Sequence, residues 1–240
     1  MNEVKKTYFN WSSGKDSAMA LHRLLQDTQF SVEHLLTSMN THYDRVSMHG
    51  IRRALLDEQL RAINLPYSTL ELPAEPTMEE YEAIIGAKMQ ELKSLGFTDT
   101  GFGDIFLEDL RNYREEKLST VGIRAHFPLW KEDTTALLHQ FIDNGFRSIV
   151  VCCNDELLGK SWVGREISHD FIDDLPENVD PCGENGEFHT FCFDGPIFSH
   201  PIQFELGEII KREYPRPNAT EHTSNTVGFW FCDLLPKSNQ

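Results

Sequence analysis

The chain has 240 residues, 40% apolar and 25% charged, which suits one large or two small water-soluble domains with a sizeable core. Its 22 basic and 38 acidic residues leave a formal charge of −16, which argues against nucleic acid as a partner. No apolar run approaches the roughly 20 residues of a membrane crossing, and five cysteines without paired spacing point to a reducing cytoplasm rather than a disulfide framework.

Residues 7–11 form an apolar, β-prone run that stops at small and polar residues. A helical pattern follows over 17–25, where Ala18, Leu21 and Leu25 recur on one face. A strand that turns through small residues into a helix gathers backbone N–H groups and the positive end of the helix dipole at one point, which is an anion site. Around that point Ser12, Ser13 and Ser17 add hydroxyl donors, Gly14 a small residue and Lys15 a mobile cation. Asp16 either caps the helix or shares a metal ion. The spacing is not that of a Walker A loop, and an ordinary serine-rich turn would show the same local pattern.

A second strand at 33–39 ends at the polar segment 40–44. His49 and Gly50 open a helix through Leu55, Leu56, Gln59 and Leu60, and His49 either contacts a nucleotide or only starts that helix. A third strand spans 67–72. The clearest helix is 78–95, with Tyr81, Ile84, Ile85, Met89, Leu92 and Leu95 on one face and Gly96 as its stop. A short strand over 100–105 ends at Asp104, which is the candidate Mg²⁺ ligand or else a turn cap. This alternation implies a parallel sheet with helices on both faces and ligands beyond the carboxyl ends of its strands. The 12–17 loop, the 40–44 segment and Asp104 would share that end.

The pattern changes near residue 130, which gives expected domains of 1–130 and 131–240. In the second, a helix over 134–144 leads to a strand at 147–152, a helix at 163–175, a loop at 176–185 and an alternating strand at 188–193. After Lys211 the tail is rich in Pro, Asn, Thr and Ser, and its apolar group 227–231 is expected to pack back onto the body. If residues 187–193 are a strand, Glu187 and His189 share a face, with Glu184 just before them on a glycine-flanked turn. Two carboxylates and an imidazole suit general-base work, Mg²⁺ binding or retention of a cationic nucleophile. A solvated acidic loop fits the same residues. Cys182 reads as a small turn residue and Asp180 as a loop cap.

The loop from Ser12 to Ser17 resembles the PP-loop of the ATP pyrophosphatases, with Ser13 where that loop usually has glycine. The run Gly183, Glu184, Asn185, Gly186, Glu187, Phe188, His189, Thr190, Phe191, followed by Asp194, Gly195, Pro196, Ile197 and Phe198, resembles the diphthine–ammonia ligase family in its short form. The segments 102–109 and 127–130 resemble it too, in matching order and spacing over roughly residues 5 to 210. The resemblance implies an α/β fold: a parallel-sheet HUP-type (PP-loop ATPase) nucleotide-binding domain, a smaller α/β C-terminal substrate domain, and a site between them. It implies ATP and Mg²⁺ as cofactors, adenylation of a carboxylate with release of pyrophosphate, and displacement of AMP by ammonia to give an amide. Ser12, Ser13, Gly14, Lys15, Asp16, Ser17 and His49 would bind nucleotide, with Lys15 also catalytic. Asp104 would hold the metal, and Glu184, Glu187 and His189 would serve the ammonia or acyl step. The acceptor would be diphthine on elongation factor 2 or a small-molecule carboxylate, and self-association stays open. A tRNA-modifying PP-loop enzyme and a nucleotide-binding sensor are the competing readings.

Overall fold

Strand β1 (Lys5–Asn10) lies at the centre of the first sheet, because its successive side chains serve two different cores. Tyr8 joins the cluster of Leu36, Leu70, Leu92 and Phe102 on one face, whereas Phe9 joins the larger cluster of Leu21, Leu35 and Leu55 on the other. The computed structural model describes residues 3–216 and 225–237, so part of the tail lies outside the described residues.

β1 runs into α1 (Lys15–Gln26) and pairs in parallel with β2 (Phe30–Asn40) on one side and β5 (Asp99–Gly101) on the other. β4 (Tyr67–Leu72) extends the sheet beyond β2, and β6 (Arg124–His126) extends it beyond β5. The parallel order is therefore β4-β2-β1-β5-β6, which reverses direction at β1 and leaves a crevice between the ends of β1 and β5. A two-residue strand, β3 (Arg45–Val46), pairs antiparallel with Met39 and Asn40 of β2, beyond the point where β1 ends. Helices α1 and α2 (Arg53–Ile63) supply the larger core, and α3 (Met78–Ser94) and α4 (Glu108–Ser119) cover the other face. α3 starts in a reciprocal cap: Thr77 Oγ1 accepts from Glu80 N at 3.2 Å, and Glu80 Oε2 accepts from Thr77 N at 2.9 Å. Tyr81, Ile84, Ile85 and Met89 pack on the second core, as their spacing predicts, but Leu95 lies past the helix and is exposed.

The second sheet is antiparallel, in the order β8-β7-β10-β9. It follows α5 (Thr134–Asp143) and consists of β7 (Arg147–Asn154), β8 (Phe188–Asp194), β9 (Phe204–Pro215) and β10 (Thr226–Pro236). Two sequence expectations change here. The helix expected over 163–175 is only α6 (His169–Asp174), started by Ser168, whose Oγ accepts from Phe171 N at 3.2 Å. Residues 164–167 instead bond along β7, with Gly164 N to Val150 O at 2.8 Å and Ile167 N to Ser148 O at 2.8 Å. Gly164, at φ +82, allows that turn. The tail is not merely a packed-back apolar group: β10 pairs with both β7 and β9 and lies inside the sheet. Asp233 on β10 also accepts from Arg45 Nη1 at 2.8 Å and Arg52 Nη2 at 2.5 Å, which ties this sheet to the segment after β2. Among the described residues, no helix is long and apolar enough to cross a membrane.

The crossing of α1 over β5 leaves no room at Gly101, where a Cβ would press on Leu24 and lie 2.6 Å from Phe9 Cδ2. Gly101→Ala should therefore cost about 1–3 kcal/mol through overpacking. Urea unfolding would show this as a lower midpoint at unchanged slope.

Candidate active site

The 12–17 loop lies in the crevice between β1 and β5, and strand β8 of the other sheet closes over it. Cys192 N donates to Ser13 O at 2.9 Å, and Lys15 N donates to Thr190 Oγ1 at 3.0 Å. Gln59, fully buried on α2, bridges the same parts: its Nε2 donates to Ser13 O at 3.1 Å and Cys192 O at 2.5 Å, and its Oε1 accepts from Trp11 Nε1 at 3.2 Å. Gly14 precedes the helix in extended conformation, and a Cβ there would lie 2.6 Å from His49 Cε1 and 3.2 Å from Thr190 O. Gly103 plays the matching part after β5, since a Cβ there would lie 2.9 Å from Ser17 N. Ser13 holds φ +71, the left-handed conformation that glycine adopts at least cost, and its buried Oγ has no partner among the described residues. The expected hydroxyl donors Ser12 and Ser17 are hydrogen-bonded to each other at 3.1 Å, and Ser17 Oγ also donates to Gly14 O at 2.9 Å.

Charges converge on the loop from three directions. Lys15 is buried, with Nζ donating to both oxygens of Asp16, at 2.9 and 2.8 Å, and to the Cys182 carbonyl. Burial opposes its charge, but Asp16 and Glu184 more than offset that and hold its pKa above the usual lysine value. Asp104 lies just past β5, and its Oδ1 accepts from Arg114 Nη2 at 3.2 Å. Burial raises the Asp104 pKa and the Asp16 charge adds to the rise, with Arg114 opposing. Glu184 reaches across from the second sheet's loop, where its Oε1 accepts from Ile105 N at 2.7 Å and Phe106 N at 3.3 Å. Burial, helped by Asp16, pushes its pKa up to about 7 against those two N–H donors.

The two histidines singled out in the sequence meet, with ring centroids 4.9 Å apart. His49 Nδ1 donates to Thr190 O at 2.9 Å, so this nitrogen carries the proton. Burial lowers the His49 pKa and, with the neighbouring His49 and Lys15, takes that of His189 down to about 3. Both imidazoles are therefore neutral at pH 7. Glu187 does not point with His189 into the site. It is buried and braces its own loop, accepting from Asp180 N at 3.1 Å, Asn185 N at 2.9 Å and Asn185 Nδ2 at 3.0 Å. Asp180 caps that loop through Cys182 N at 3.0 Å and Glu184 N at 3.2 Å, and burial pushes the Cys182 thiol pKa up, away from a nucleophilic thiolate. Sequence reasoning missed Gln59, Thr190 and Arg114 as parts of the site. Gln59 carried one local signal, a polar side chain on the buried face of a helix.

Among the described residues, no cluster of three or more His, Cys, Asp or Glu side chains is arranged to hold a metal by itself. Mg²⁺ does not need one, because it binds through one or two carboxylates together with substrate phosphates and water. Asp104 is a carboxylate of that kind: burial and the neighbouring Asp16 charge disfavour its ionised form, and a cation beside it would relieve that cost.

Two family models match the chain: the diphthamide synthase N-terminal domain over residues 5–125 and the diphthamide synthase C-terminal domain over residues 133–216. The chain is also similar to a diphthine–ammonia ligase from Danio rerio, 30% identical over 113 residues. That match takes in 42% of this chain and 43% of the relative, so the chain spans less than half of that relative's length.

Two substitutions test the geometry. Ser13→Gly should stabilise the fold by about 0.5–1 kcal/mol, because relief of the left-handed conformation outweighs the added freedom of the unfolded chain; the melting temperature reads this directly. Glu184→Gln tests the raised carboxyl. The folded state holds its proton up to about 7, well above the ordinary glutamate value of 4.5. Wild-type stability relative to the variant should therefore fall as pH rises across that window and level off above it. Urea unfolding across that range would show no such trend if Glu184 were solvated.

Proposed function

This chain belongs to the diphthamide synthase family, and from that premise we propose that it is an ATP-dependent ligase that adenylates a carboxylate and amidates it with ammonia. The observation that carries the reading is buried Lys15, paired with half-buried Asp16 at the start of α1 and facing Asp104 and Glu184 across the crevice. A carboxylate is a poor electrophile, and transfer to AMP gives it a good leaving group. The protein must then hold the negative charge of departing pyrophosphate. The N–H groups of the 12–17 loop and Lys15 do this without reorganising when charge develops. Bound Mg²⁺, held by Asp104 with Asp16, supplies further neutralisation of the phosphates.

In the second step the nitrogen of ammonia attacks the acyl carbon, the C–O bond to AMP breaks, and the nitrogen gives up a proton. Glu184 takes that proton: its pKa of about 7 makes it a carboxylate near neutral pH without leaving it too weak a base. His189 and His49, both neutral, shape the wall beside it. Glu187 keeps the loop that presents Glu184 in place. The nucleotide domain is taken as 1–130 and the substrate domain as 131–240. Diphthine on elongation factor 2 is the acceptor that the family points to, and a small-molecule carboxylate is the alternative. The five buried free cysteines suit a reducing cytoplasm. A nucleotide sensor would need the loop and Lys15 but has no use for a buried carboxyl aimed at it from the second sheet.

Lys15→Ala or Asp16→Ala should lower pyrophosphate release from ATP, Mg²⁺, ammonium and diphthine-bearing elongation factor 2 by about 100-fold or more. Circular dichroism should show the fold retained. Unchanged turnover would remove the loop from the chemistry, and release with only a small carboxylate would replace the acceptor.

A further inference from the structure

We propose that Arg111 and Arg114 of α4 form the subsite that receives the acceptor's carboxylate, a deeper claim that rests on the ligase reading. The acceptor's reacting group is a carboxylate, and it approaches a protein of charge −16. The loop's own cation, Lys15, is committed to Asp16 and to the phosphates. A second positive point is needed beside it, and α4 provides one.

Arg111 and Arg114 are three residues apart, so they lie on one helix face. The Arg114 guanidinium lies 4.3 Å from the Phe102 ring, and that of Arg111 lies 4.5 Å from Trp130 and 5.0 Å from Phe127. Phe102 and Phe127 are themselves stacked, with centroids 5.4 Å apart and planes 18° apart, so both cations rest on one aromatic platform. That platform follows directly on β5 and β6, at the carboxyl end of the sheet where such folds bind ligands. Arg114 reaches the reacting centre through Asp104.

Among the described residues neither guanidinium has partners for all its donors. Each arginine carries five N–H donors. Among the described residues Arg114 spends one on Asp104, and its buried Nε has no partner; Arg111 donates through Nε to Glu115 at 2.8 Å. Planar guanidiniums packed against aromatic rings have lost part of their freedom already, which prepares them for bidentate contact with a carboxylate. An arginine–aromatic stack that served stability alone would not need to stand next to Asp104.

The test uses the intact protein with a non-hydrolysable ATP analogue and two probes that differ only in charge: elongation factor 2 bearing diphthine, a carboxylate, and the same factor bearing diphthamide, its amide. The wild type should bind the carboxylate form about 10-fold more tightly or better. Arg111→Gln and Arg114→Gln should each reduce that preference to about twofold or less, and Arg111→Gln, at a residue that pairs with Glu115 rather than Asp104, should leave affinity for the ATP analogue alone unchanged. Arg111→Lys, which keeps charge without the planar fork, should fall between. An absent preference in the wild type, or a preference that survives in both glutamine variants, overturns the proposal. So does a parallel loss of affinity for the analogue in Arg111→Gln, which would assign that arginine to nucleotide phosphate. Failure of the ligase reading looks different: the arginine-dependent preference is present, but the wild type releases no pyrophosphate with diphthine and ammonium.

Discussion

The site depends on a seam where the edge strand of one sheet bonds to the 12–17 loop of the other. β8 gives Cys192 N to Ser13 O and receives Lys15 N on Thr190 Oγ1. An edge strand normally leaves a row of unpaired backbone groups open to solvent or to another chain. Here part of that row is spent on a loop whose own N–H and C=O groups would otherwise be buried unpaired in the crevice. Gln59 seals the seam from the side of α2, with both its amide nitrogen and its oxygen in use. Chemistry follows from this contact, because the loop of 180–187 enters β8 and arrives over Lys15 only while β8 stays in register with Ser13.

The electrostatics of the crevice have one theme. Three carboxylates, Asp16, Asp104 and Glu184, are gathered around one buried lysine, and burial makes the charges of Asp104 and Glu184 costly. Such a site favours cations and resists a bare polyanion. The loop's N–H groups and Lys15 counter that resistance at one end, and the α4 arginines stand at the other. The raised pKa of Glu184 and the lowered pKa values of His49 and His189 have the same cause, desolvation, acting with opposite sign on acids and bases. The result is a pocket with neutral imidazoles and a carboxyl poised near pH 7.

Ser13 shows how a departure from a familiar loop is accommodated. The backbone keeps the left-handed conformation that glycine would supply, and its carbonyl is fixed by two donors. The side chain is simply buried without a partner. The close approaches are left to Gly14 and Gly103, where any Cβ would collide with His49 or with the start of α1.

The alternation of short apolar runs with helical periodicity determined the parallel sheet and the place of the 12–17 loop, because period and turn chemistry are local properties. Asp104 and Glu184 were visible for the same reason, as acidic residues at the ends of readable elements. β6, at three residues, was too short to show an alternation, and the pairing of β9 with β10 joins strands on either side of a stretch rich in Pro, Asn, Thr and Ser. The roles of Thr190, Gln59 and Arg114, and the inward brace of Glu187, were decided only by tertiary structure. Lys15 bonds to Thr190 across 175 positions and Gln59 to Cys192 across 133, and no local pattern specifies which distant backbone group will complete a buried donor.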